Sequence, residues 1–296
     1  MATWEEAFRG WAQPPTQSET DRAQNAENMV RNAISGATAF RGRDGRVILQ
    51  GSYRNRTNIR RESDVDIGVI CFDTFFMDLP ERATQETFNI IDATYSYADF
   101  KNDVGKALTD YFGKDVVKRG TKAFDIKANT YHLDADVAPF FEHRRYAADG
   151  SFLSGVELRP DDYSPPRVVN WPEQHYANGN EKNNRTARSY RALVRILKNL
   201  KCYMADNNVA SAKPITSFLC ECLVWNVPNN FFTHPNYSDD LRAALSFLYE
   251  RTASDAACSE WGEVSELKYL FRPQQKWTRQ EVNSFILAAW TYVGFS

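Results

Sequence analysis

The sequence predicts an α+β fold, a mixed sheet followed by a helical lobe. Three observations point there. Runs rich in β-branched residues are confined to the first half; apolar residues at helical spacing dominate the second; and a stretch rich in Pro, Asn, Gly and Asp separates them. With 296 residues the chain has room for two lobes of roughly 150 residues each. We place the division at 160/161, with residues 1–160 carrying the sheet and an N-terminal helix and residues 161–296 forming the helical lobe.

Thr16 to Glu19 reads as a capping box, and Ala23, Ala26, Val30, Ala33 and Ile34 follow at helical spacing, so an amphipathic helix opens the fold. Arg46 to Gln50 is a short β-rich run that stops at Gly51-Ser52, and Val65 to Phe72 is a second, carrying β-branched residues next to two aspartates. Ala107, Leu108, Tyr111 and Phe112 predict a helix ending at Gly113. Val116 to Lys127 and Thr130 to Phe141 read as two further strands. From Gly150 to Asn184 the prolines and asparagines predict loops. Helices are then expected over Arg185 to Cys202, Ile215 to Trp225, Leu241 to Tyr249 and Val282 to Trp290.

Composition narrows the function. No apolar run approaches the roughly 20 residues of a membrane span, and the start has no basic segment followed by an apolar one, so a cytoplasmic protein without a membrane partner is expected. Five scattered cysteines without Cys-x-x-Cys spacing argue for free thiols, and the four histidines, His132 among them, do not join them at zinc-site spacing. A formal net charge of −2 gives no global pull toward a polyanion, so no stable DNA complex is expected and any charge that meets an anionic substrate is local.

The chemistry is carried by Gly51-Ser52 at the end of one strand and Asp64-Val65-Asp66 at the start of the next. Aspartates at i and i+2 on a strand share a face, and carboxylates that close disfavour joint ionisation unless a cation lies between them. Hard oxygen ligands select magnesium or manganese. Glycine lets backbone N–H groups approach phosphates and the serine hydroxyl adds a donor, so the two halves together read as a site for a metal-bound triphosphate. A third carboxylate is offered by Asp134 or Asp136, which share a face by the same alternation. In the second half Arg188, Arg191, Arg195 and Lys198 fall at steps of three, four and three, one basic stripe that is either a solvated face or a substrate contact.

Gln50-Gly51-Ser52-Tyr53-Arg54-Asn55, Asn58-Ile59-Arg60 and Ser63-Asp64-Val65-Asp66 resemble the signature of the CD-NTases, bacterial relatives of cyclic GMP-AMP synthase and oligoadenylate synthetase. Asp136 before apolar residues, Val168 to Pro172, His175 to Gly179, Arg195 to Asn199, and Ser217 before Glu221-Cys222-Leu223 extend the resemblance, which is nearest to clade E. It implies a polymerase-β-like nucleotidyltransferase core packed on a helical lobe that closes over donor and acceptor nucleotides. Asp64, Asp66 and Asp136 match the three metal-binding catalytic acids, served by two Mg2+ ions with Mn2+ as a substitute. Lys198 and Ser217 match the pair that meets the donor triphosphate, and Phe218 stands where relatives carry a base-stacking tyrosine.

The resemblance implies template-independent synthesis of a cyclic dinucleotide from nucleoside triphosphates, as an antiphage signal read by a separate effector protein. Asn170 matches an asparagine that faces a base in clade E and accompanies pyrimidine use. Its amide offers both donor and acceptor to the O4 and N3–H edge of uracil, so UTP and ATP are the expected substrates and cyclic di-UMP or cyclic UMP-AMP the expected product. The rival readings are transfer of a single nucleotide to tRNA, protein or an antibiotic, and a nucleotide-binding regulator without catalysis, against which the three acids argue.

Overall fold

The computed structural model describes residues 3–60, 64–131 and 133–295; Ser63 of the signature and His132 lie outside the described residues. The chain forms two compact units, one of Thr16–Arg54 and Ser63–Pro172, the other of Met1–Pro15, Asn55–Glu62 and Glu173–Ser296. A cut at 160/161 therefore differs from these units in three places. The sheet unit runs on to Pro172, and the helical unit takes Met1–Pro15 and Asn55–Glu62, the latter from between the first two strands.

Helix α1, Trp4–Trp11, belongs to the helical unit; α2, Gln17–Gly36, starts at a Thr16–Glu19 capping box and buries Ala23, Ala26, Val30 and Ala33. Strand β1, Gly45–Leu49, leads into the short helix α3, Gly51–Asn55, and β2 covers Val65–Asp78. Helix α4, Tyr97–Phe112, precedes β3, Val117–Arg119, β4, Phe124–Ile126, β5, Ala135–Tyr146, β6, Phe152–Leu158, and β7, Val168–Asn170. The sheet runs β1-β2-β5-β4-β3, with β6 pairing the far part of β5 and β7 pairing β6. Among the described residues, β2 and β5 form the one parallel pair.

Alternation decides which face does what. Val65, Ile67, Val69 and Cys71 of β2, Phe124 and Ile126 of β4, and Ala135 and Val137 of β5 enter one core with the buried faces of α2 and α4. The intervening residues, Asp66, Asp125 and Asp136 among them, point to the opposite face. Three expectations change here. Val116 to Lys127 is a hairpin rather than one strand, because the Lys101 ammonium bonds the Gly120 and Thr121 carbonyls and fixes a turn there. Thr130, Tyr131, Leu133 and Asp134 are not strand, because the Asn129 side chain takes the Tyr131 N–H and the Asp134 carboxylate takes the Ala128 N–H, local bonds that compete with a ladder. The expected loop region contains β6, β7 and a helix.

That helix is α5, Pro172–Arg185, polar along its length and held by tertiary bonds: Lys182 donates to the Val227 carbonyl at 2.7 Å and Asn178 to that of Val264 at 2.9 Å. Ala187 and Arg188 at positive φ separate it from α6, Ser189–Asp206, so the helix expected from Arg185 begins later. Next come α7, Ser217–Trp225, α8, Tyr237–Arg251, α9, Asp255–Cys258, and α10, Arg279–Tyr292. Leu193, Leu197, Leu200, Leu219, Leu223, Leu245 and Phe285 are among the residues of their common core. The N-terminal helix α1 joins this unit through Trp4 and Trp11, whose rings meet Tyr203 at 6.1 and 6.0 Å. The five cysteines are free thiols, and among the described residues no helix is long and apolar enough to cross a membrane.

Candidate active site

In the sheet unit the parallel register sets Asp66 of β2 directly beside Asp136 of β5, and the antiparallel register sets Asp136 beside Asp125 of β4. Asp64 precedes β2 on the same face as Asp66. Four carboxylates thus gather where the central strands begin. Burial, then the charges of Asp125, Asp66 and Asp64, push the Asp136 carboxyl up to about 6. Asp134 is not part of this group, since its carboxylate accepts the Ala128 N–H.

Gly51 lies against the same carboxylates. It has φ +58°, and a Cβ added to it would sit 1.9 Å from Asp66 Oδ2 and 2.8 Å from Asp66 Cγ. Only glycine lets the Gly51 backbone come this close to Asp66. The Gln50 N–H donates to the Asp66 carbonyl at 2.8 Å and fixes the approach. Gly51 opens α3, and Ser52 follows half-buried in its first turn.

The donor set fits a divalent cation. The oxygens are hard, the charges of Asp125, Asp66 and Asp64 all act to raise the Asp136 carboxyl, and Gly51 comes up against the Asp66 carboxylate where a side chain would collide with it. Among the described residues no three acidic, histidine or cysteine side chains converge enough to hold an ion by themselves. Magnesium is ordinarily held through one or two carboxylates together with phosphate oxygens and waters.

The helical unit contributes a different arrangement. Of the basic stripe, Arg188 is exposed and precedes α6 and Arg191 is half-buried, whereas Arg195 is 6% and Lys198 1% exposed, so these last two are not a solvated face. Arg195 donates to the Ala12 carbonyl through Nε at 2.9 Å and to the Arg56 carbonyl through Nη1 at 2.7 Å, and Arg191 donates to Asn180. Lys198 Nζ donates to the Thr57 carbonyl at 3.1 Å, to the Thr57 hydroxyl at 3.3 Å and to Glu221 Oε2 at 3.3 Å. These three bonds use the whole donor capacity of an ammonium. The direct meeting of Lys198 with a triphosphate that the resemblance implied would require it to leave these partners. Burial works to raise the Glu221 carboxyl, but Lys198, His175 and the bonds from His175 and Thr57 outweigh it and hold it well below the usual carboxylate range.

Ser217 is half-buried at the first position of α7, and Phe218 beside it is 38% exposed, with its ring 6.0 Å from His175 and 6.1 Å from Trp277. Asn170 is the last residue of β7, half-buried and paired with Val156, a strand end where sequence reasoning expected a loop. The buried Trp171 anchors it. Its ring lies over Gly155, where a Cβ would come within 2.6 Å, and meets His143 edge-on at 5.5 Å.

Sequence reasoning missed Asp125 and the roles of Thr57, His175 and Glu221. Phe124-Asp125-Ile126 does alternate, so its signal was present but hidden in a run read as one strand. Thr57 carried no signal, because its partners are far away in the chain.

The model of the cGAS/DncV-like nucleotidyltransferase C-terminal helical domain matches residues 177–294. The chain is 40% identical over 98% of both chains to a cyclic dipyrimidine nucleotide synthase CdnE of Cecembia lonarensis, and 34% identical over 98% of both to a cyclic dipurine nucleotide synthase of Elizabethkingia meningoseptica. It superposes with a TM-score of 0.85 at 29% identity on the CdnE c-UMP-AMP synthase of Rhodothermus marinus solved with Apcpp and Upnpp, covering 99% of this chain and 98% of that one. A polymerase-β-like sheet with adjoining carboxylates, a matching helical domain and full-length relatives agree: the chain belongs to the CD-NTases, the cGAS/DncV-like nucleotidyltransferases, and is an enzyme of the cyclic dinucleotide synthase type.

Proposed function

We propose that this chain condenses two nucleoside triphosphates, UTP in at least one position, into a cyclic dinucleotide such as cyclic di-UMP or cyclic UMP-AMP. The observation that carries the proposal is the register of Asp66 beside Asp136 with Gly51 closed against Asp66. Each condensation joins a ribose hydroxyl oxygen to an α-phosphorus and breaks its bond to the bridging oxygen, releasing pyrophosphate; no protein nucleophile is needed. Asp64, Asp66 and Asp136 would hold two Mg2+ ions, or Mn2+ in their place. When bound, such ions neutralise triphosphate charge and make the acceptor hydroxyl a better nucleophile. Gly51 and Ser52 would offer N–H and hydroxyl donors to the phosphates, Ser217 a further hydroxyl, and Phe218 its exposed ring face to a base. Lys198 would meet the donor triphosphate on leaving the Thr57 and Glu221 oxygens that it bonds here.

Asn170 supports the uridine assignment. Its amide presents a donor and an acceptor from a strand end that Trp171 anchors, and a site that satisfies the uracil edge leaves its own polar groups unpaired with a wrong base, at roughly 1–3 kcal/mol per unmade bond. Relatives named for dipyrimidine and for UMP-AMP products agree with it. The product would act in the bacterial cytoplasm as an antiphage signal for a separate effector protein, and the net charge of −2 supports activation without stable DNA binding. Incubation with all four ribonucleoside triphosphates and Mg2+ or Mn2+, followed by mass spectrometry, tests the proposal. A uridine-containing cyclic dinucleotide is expected. Purine-only products would overturn the base assignment, and transfer of one nucleotide without ring closure would overturn the reaction.

A further inference from the structure

Glu221 is 4% exposed in the middle of α7, and its ionised carboxylate is met on every side. Oε2 accepts from the Thr57 hydroxyl at 2.8 Å and from Lys198 Nζ at 3.3 Å, while Oε1 lies 2.8 Å from His175 Nε2. A buried ionic cluster of this kind is a poor source of stability, because well-packed apolar side chains of similar volume do as well or better. Its geometry is better explained by what it holds.

On one side it holds backbone. Arg56 has φ +56°, a conformation that non-glycine residues avoid, and the two carbonyls that follow, of Arg56 and Thr57, are taken by Arg195 and Lys198. Thr57 is further tied by its hydroxyl to Glu221. In the chain this segment comes directly after the helix that opens with Gly51-Ser52. On the other side Glu221 holds a ring: the His175 imidazole that it bonds lies against Phe218, whose other neighbour is Trp277. One carboxylate therefore fixes both the exit of the phosphate-binding turn and the back of the base-facing aromatic.

We infer that Glu221 is a positioning residue of the nucleotide site, setting the Arg56–Thr57 backbone through the Thr57 hydroxyl and the Phe218 ring through His175. This rests on the reading of the chain as a nucleotide synthase. Glutamine at 221 keeps one acceptor oxygen for Thr57 and Lys198 but loses the charge that pairs with Lys198, and it meets His175 only by turning the acceptor at that position into an N–H donor. Valine at 57 keeps the shape of threonine and loses the hydroxyl.

The test compares Glu221→Gln, Thr57→Val, Thr57→Ser and His175→Phe in the full chain. Affinity for Upnpp is measured by calorimetry, KM and kcat for UTP by pyrophosphate release, the base ratio of products by mass spectrometry, and unfolding by heat. Glu221→Gln and Thr57→Val should weaken Upnpp binding and raise KM by roughly tenfold with kcat much less affected, and Thr57→Ser should restore both. His175→Phe, which keeps a ring and loses the bond to Glu221, should shift the base ratio with a smaller change in KM. Lower unfolding temperatures with unchanged Upnpp affinity, KM and base ratio would overturn the inference, leaving the cluster a structural one. Should Glu221→Gln fail to fold, the Thr57→Val and Thr57→Ser pair decides. Wild-type protein that binds Upnpp without forming a cyclic product would overturn the proposed reaction, while the variant affinities still decide the role of Glu221.

Discussion

Replacing Gly51 by alanine isolates the contact on which the carboxylate site is built. The new Cβ would sit 1.9 Å from Asp66 Oδ2, where an ordinary contact needs about 3.4 Å, so the carboxylate has to retreat by roughly 1.5 Å or the turn has to open by as much. The φ of +58° adds about 1–2 kcal/mol of backbone strain for an L-residue. The two effects separate in measurement. The strain acts on stability and should lower the unfolding temperature by a few degrees, about 2–4 °C per kcal/mol for a chain of this size. Displacement of Asp66 acts on turnover, and a misplacement of about 1 Å at a reacting centre costs on the order of 100-fold. Pyrophosphate release per folded molecule should therefore fall about 100-fold or more. Ser52→Ala, which removes one donor and moves no carboxylate, should lose about tenfold. Turnover in Gly51→Ala within threefold of wild type, with the fold intact, would refute the placement of Asp66 in the reacting centre.

Other outcomes follow from the same geometry. Asp64→Asn with Asp66→Asn should abolish product and pyrophosphate release at an unchanged circular dichroism spectrum, and chelation with EDTA should do the same to the wild type, reversed by added Mg2+. Asp136→Asn should cost far more turnover than Asp134→Asn, whose carboxylate accepts only the Ala128 N–H among these contacts; the reverse ranking would put the wrong aspartate beside Asp66. Asn170→Ser should move incorporation from uridine toward purines, read as the base ratio of products. Lys198→Met should destabilise the fold by about 3–5 kcal/mol, because it leaves Glu221 buried without its cation. Glu221 has a lowered folded pKa, so its contribution is complete above the ordinary carboxylate value and is lost as pH falls from there toward the folded one. Acid unfolding of wild type and Lys198→Met should thus converge over that window.

The legible parts of this fold were those written in local pattern. The Thr16 capping box, the buried stripe of α2, and the alternation of Val65, Ile67 and Val69 all follow from residues a few positions apart. Alternation also put Asp64 and Asp66 on one face. It could not say that Asp136 lies beside Asp66, since parallel pairing of β2 with β5 spans some seventy residues and leaves no local mark. Helix α5 was illegible for a different reason: its helical face is bonded through Asn178 and Lys182 rather than packed through apolar residues, so there is no periodicity to detect.

The stripe of α6 shows where charge misleads. Arg191, Arg195 and Lys198 at steps of four and three look the same in sequence whether they face water, a triphosphate or the protein. In the structure Arg195 and Lys198 meet backbone carbonyls, at Ala12, Arg56 and Thr57, while Arg191 meets the Asn180 side chain. A carbonyl is as good an acceptor for a guanidinium as a phosphate oxygen is in geometry, but it carries no sequence identity, so neither composition nor motif can distinguish the two. The distinction rests on the partner's position in the chain. Arg56 and Thr57 come between Gly51-Ser52 and Asp64 in the chain, and the cations that bind those carbonyls hold the Arg56–Thr57 backbone. Basic residues can thus be committed to backbone with no mark of it in the sequence around them.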